Sequence, residues 1–129
     1  MIRSAIAVVI GVVTWVLAAT LCNWALRAGM PGYAAAEPAM AFTLPMLFGR
    51  LAVGLVASLA AGVACGAVSR SRRRAGPILA VLMVLMFLPL HYKLWAVFPA
   101  WYHLFFLITL APAVLAGVVL QRRSVSGPA

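Results

Sequence analysis

The stretch that decides the fold runs from Leu44 to Val68: LPMLFGRLAVGLVASLAAGVACGAV. Its one charge is Arg50, and at 1.5 Å per residue a helix of about 25 residues reaches roughly 37 Å, more than a hydrocarbon core of about 30 Å. Three further apolar runs flank it, at Ser4–Leu26, Ile78–Phe98 and Trp101–Leu120. Each is about 20 residues or longer, the length that a spanning helix needs. The expected fold is an all-α integral membrane protein, a four-transmembrane-helix bundle of two antiparallel hairpins, forming one domain over residues 1–129. With 67% hydrophobic residues and a mean hydropathy of +1.14, the chain lies outside the soluble range.

Charge sets the orientation. Of ten cations, Arg3, Arg70, Arg72, Arg73, Arg74, Arg122 and Arg123 fall before the first span, between the second and third, or after the fourth. With four spans these segments share one side, and the positive-inside rule makes that side cytoplasmic, both termini included. The expected location is a bacterial inner membrane. A formal charge of +9 is then a matter of lipid headgroups rather than of nucleic acid, since no basic stripe with interleaved aromatics lies on a soluble surface. Arg3 before a long apolar run, with Ala34-Ala35-Ala36 beyond it, also fits a cleaved signal, but the run is too long for a signal core. Cys22 and Cys65 fall near opposite ends of their spans, too far apart to bridge, and are expected as small packing residues.

The missing residue types narrow the chemistry. There is no aspartate, and Glu37 is the one carboxylate side chain. A Ser-His-Asp triad, a carboxylate pair and a carboxylate-bridged metal pair are therefore excluded within one chain. No Cys-x-x-Cys, His-Glu-x-x-His or phosphate-cradling glycine loop occurs. The first span lacks the embedded glutamate of small multidrug antiporters, and the phenylalanine- and threonine-rich motif of fluoride channels is missing. No catalytic residue, metal or cofactor is expected.

Two features remain. The first is a series of small residues, Ala7 and Gly11 in the first span and Gly54, Ser58, Gly62 and Gly66 in the second. Spacing by fours lets helix backbones approach closely where lipid supplies no hydrophobic drive. It is expected as a seam between the first two spans, or as a face for a second copy. The second is a cluster near the outer helix ends: Arg50, His91, Lys93, His103, Trp95 and Tyr102. It reads as an aromatic belt with snorkelling cations, or as an outward-opening cationic pocket for an anionic or quinone-like ligand. Glu37 pairing with Arg50 or Lys93 would neutralise it, and His91 with His103 would suit a b-type haem. Expected partners are the bilayer and another copy or another membrane protein. The leading function is a non-enzymatic structural or accessory subunit acting through helix contacts; the alternative is a small carrier or binding protein using the outer cluster.

Overall fold

The computed structural model describes residues 2–69 and 74–125. Arg70, Arg72 and Arg73, on which much of the charge asymmetry rests, lie outside the described residues, as does half of the expected turn from Ser69 to Gly76. The described chain is all-helical: α1 (Ile2–Gly29), α2 (Tyr33–Ala36), α3 (Leu44–Ser69), α4 (Ala75–Lys93) and α5 (Ala100–Val125). The four long helices are each long and apolar enough to cross a membrane. Large apolar side chains such as Val9, Val13, Leu17, Val81, Leu85 and Ile108 stand exposed around them, as expected where the surrounding medium is hydrocarbon.

Contacts give the helix order. α3 lies antiparallel to α1, with Arg3 against Val68, Trp15 against Ser58 and Leu26 over Gly49. It runs parallel to α5, with Gly54 against Phe106, Gly62 against Val114 and Gly66 against Gln121. α4 lies antiparallel to α5, pairing Gly76 with Val118 and His91 with His103. α1 meets α4 in parallel through Gly11–Leu79 and Trp15–Phe87. Two antiparallel hairpins thus pack side by side. At the end of the bundle where α1 begins, Arg3 Nε donates to the carbonyl of Val68 at 3.1 Å, one of the carbonyls a helix end leaves without an intrahelical partner.

The small-residue series serves two helices, only one of them expected. Ala7, Gly11 and Ser58 do serve the α1 side, Gly11 lying against Ala61 and Leu79. Gly54, Gly62 and Gly66 turn instead to α5. A Cβ on Gly62 would strike the Val114 carbonyl oxygen and stand 3.0 Å from the Cα of Gly117. Glycine on both helices is what permits this approach, and the seam is filled from within the chain.

Two boundaries shift. The third span ends at Lys93, and residues 94–98 form a turn closed by Val97 N–H and Phe98 N–H on the Leu94 carbonyl. Pro99 disfavours a helical Phe98, and Phe98 gains by turning inward, stacking on Phe42 and Tyr102 at 6.0 and 5.1 Å. The loop from Arg27 to Thr43 is less irregular than expected. α1 runs on to Gly29, and Gly32, at φ 80°, turns the chain into the single-turn α2, which buries Tyr33.

Candidate functional site

Between the halves of the four long helices remote from the chain termini lies a cavity of about 130 Å³. Each helix lines it with one face. α1 supplies Trp15, Ala19 and Asn23, spaced by fours; α3 supplies Arg50, Val53 and Gly54. α4 supplies Phe87, Leu90 and His91 and then Leu94 from its cap, while Phe98 precedes α5, which adds Tyr102 and Phe106. The floor is aromatic. Trp15 and Phe87 sit 4.6 Å apart and Phe87 and Phe106 5.2 Å. Trp15 Nε1–H donates to Ser58 Oγ at 3.0 Å, and Ser58 donates to the Gly54 carbonyl at 2.6 Å, so the floor is satisfied internally. Leu90, 47% exposed, stands at the margin facing away from the bundle.

Arg50 is the cation of this site. Its Nε donates to Tyr102 Oη at 3.3 Å and its Nη1 to Tyr33 Oη at 3.1 Å. Tyr33 in turn donates to Asn23 Oδ1 at 3.2 Å. The guanidinium carbon lies 4.6 Å from the Phe42 ring centroid and 5.9 Å from that of Phe98, within cation–π range. Hydroxyls and π faces hold the guanidinium in place without cancelling its charge. Glu37, which could have cancelled it, forms a bidentate pair with Arg27 at 2.5 and 2.8 Å. That guanidinium holds the Glu37 carboxyl below its ordinary range, with a smaller contribution from Arg50. With the one carboxylate side chain bound elsewhere, Arg50 has no ion-pair partner among the described residues.

The two histidines are coupled. His91 Nδ1 and His103 Nδ1 are 2.7 Å apart, and His103 Nε2 lies 3.1 Å from the Leu94 carbonyl. A carbonyl only accepts, so His103 carries its proton on Nε2. In the neutral ring its Nδ1 is then bare and accepts from His91 Nδ1–H. His91 Nε2 is left as a bare acceptor with no hydrogen bond among the described residues. No fully buried side-chain nitrogen or oxygen lacks a partner among them, so this Nε2 is reachable, and His91 is reached from the cavity it lines. Trp95 stacks on His103 at 5.0 Å and fixes its ring from behind. Direct contact between the imidazoles rules out their flanking one haem iron, since axial nitrogens each about 2 Å from a metal stand about 4 Å apart. Among the described residues no three His, Cys, Asp or Glu side chains gather for a metal.

Of the six residues expected in the cluster, Arg50, His91 and Tyr102 line the cavity, and His103 and Trp95 support His91 from outside it. Lys93 is exposed and lines no part of it. Sequence reasoning left Trp15, Asn23, Tyr33 and Phe42 out of the candidate cluster. Comparison with protein-family models, with curated proteins and with solved structures finds no match to this chain.

Proposed function

We propose that the protein resides in a bacterial inner membrane with both termini cytoplasmic, and acts as a small non-enzymatic binding protein or carrier. Its ligand is a lipid-soluble molecule whose head presents an acceptor oxygen to Arg50. The observation that carries this reading is Arg50 itself, a cation in a cavity lined by all four spans and without a carboxylate partner. An ionisable side chain within a spanning helix is costly, up to about 2.5–3.5 kcal/mol at mid-span on insertion scales, and marks a functional site by default. Donors outnumber acceptors around it. Arg50 has one nitrogen unengaged, Tyr102 Oη keeps its proton and Asn23 keeps its amide, against the single bare nitrogen of His91.

The orientation rests on Arg3, Arg74, Arg122 and Arg123 gathering at one end of the helices and the tyrosines at the other. The accessory-subunit reading drew on the small-residue seam as a face for a partner, and it loses that support because α5 fills the seam. A test separates head charge from tail. Purified protein in detergent is titrated with decanoate and with decyltrimethylammonium, and Arg50→Met is run beside it. The reading expects saturable binding of decanoate alone, weakened tenfold or more in the variant. Equal binding of both amphiphiles, or binding indifferent to Arg50, would overturn it.

A further inference from the structure

We infer that the head this cavity receives is a single hydroxylated aromatic ring, a phenol or the quinol end of a lipid, with its hydroxyl oxygen accepting from Arg50 and its O–H donating to His91 Nε2. The inference deepens the reading above and rests on it. Size comes first. A cavity of about 150 Å³ lined by apolar side chains holds one benzene ring, and this one measures about 130 Å³. Its walls are Trp15, Phe87, Phe98 and Phe106, faces on which a flat ring packs edge-on or offset. A phosphoryl head of similar volume carries nearly two charges and recruits several cations or charge-assisted donors. Among the described residues, Arg50 is the one cation lining this cavity.

Polarity then selects the hydroxyl. The Leu94 carbonyl dictates the tautomer of His103, His103 dictates that of His91, and the outcome is an unprotonated Nε2 on a residue lining the same cavity as Arg50. A carboxylate or a quinone carbonyl satisfies Arg50 but leaves His91 Nε2 unmatched. A phenolic hydroxyl accepts and donates at one atom and satisfies both. The turn at residues 94–98 brings the Leu94 carbonyl to His103 and so belongs to the specificity of the site.

The test uses the purified protein with 4-methylphenol, its methyl ether 4-methylanisole, and decylhydroquinone. A buried acceptor left unmatched weakens binding by about tenfold or more. Wild type should therefore prefer 4-methylphenol to the ether by at least that factor, and His91→Phe should bring the ratio close to one. Nitrogen NMR of the wild-type imidazoles gives an independent reading: Nε2 of His91 should be unprotonated without ligand and shift toward the hydrogen-bonded value with 4-methylphenol. Decylhydroquinone binding far tighter than 4-methylphenol identifies a lipid-borne ring; similar affinities identify a free one. Equal binding of phenol and ether, a ratio that survives in His91→Phe, or a protonated Nε2 in the free protein would overturn the inference. If decanoate still binds through Arg50 in that event, the broader reading stands; if it too fails, both fall.

Discussion

Replacing Gly62 by alanine should destabilise the bundle by about 2 kcal/mol. The new Cβ would lie on the Val114 carbonyl oxygen and 3.0 Å from the Gly117 Cα, where ordinary contacts begin at about 3.4 Å. Those neighbours are backbone, so no rotamer change relieves the clash and α3 and α5 must move apart. A gap of 0.5–1 Å forfeits a quarter to a half of each dispersion contact, and overpacking of cores costs about 1–3 kcal/mol, with rigid backbone at the upper end. Against about 3 kcal/mol lost, alanine returns up to about 1 kcal/mol of helix propensity. Gly117→Ala meets the Leu59 carbonyl in the same way, and the double variant should cost less than the sum because one separation relieves both. Reversible unfolding in mixed micelles by titrating SDS measures these values. Gly29→Ala, with nothing within 4 Å of the added methyl, is the control and should shift stability by less than about 0.5 kcal/mol. Were Gly62→Ala as neutral as Gly29→Ala, the α3–α5 seam would be wrong. Unchanged monomer stability with a lost oligomer would place the seam between copies.

Two other perturbations follow from single interactions. Trp15→Phe removes the bond to Ser58 but leaves Ser58 donating to the Gly54 carbonyl, so the same titration should register a loss of about 1 kcal/mol. Glu37 is held below its ordinary carboxyl value of 4.5 by Arg27, so its contribution to the outer loop is present above that value and lost as pH falls through the depressed one. Hydrogen exchange of the Met40 and Ala41 amides should be slower in wild type than in Glu37→Gln near pH 7, and the difference should fade once pH falls through the lowered Glu37 value. The pair is exposed, so the effect should stay local and leave the global unfolding midpoint in place.

The spans were legible because a membrane imposes one demand, length without charge, that a single sequence states openly. Their partners were not. The series Gly54, Ser58, Gly62, Gly66 tells which face of α3 is narrow, but not which helix closes on it; the matching signal was Gly117 on α5. The third span was drawn too long because residues 94–98 are as apolar as a helix, although Pro99 after them disfavours a helical Phe98. The site cluster was read by depth, which found Arg50, His91 and Tyr102, but depth says nothing of direction. Lys93 is two residues from His91, about 200° around the helix, and so faces away. Direction would have found Asn23, which shares its face of α1 with Trp15 and Ala19 at intervals of four. The pairing of Arg27 with Glu37, ten residues apart across a turn built on Gly32, depended on loop geometry that the sequence leaves open.

The most direct test of the central claim, that an arginine without an ion-pair partner holds a ligand among the four spans, is native mass spectrometry of the protein released gently from its own membranes. Wild type and Arg50→Met are compared after the variant is shown to unfold at the wild-type SDS concentration. The account predicts a discrete bound mass on wild type, of a molecule bearing a hydroxylated ring, and its loss from Arg50→Met. A bare wild-type protein, a co-purifying polypeptide in place of a small molecule, or the same bound mass on both proteins would contradict it.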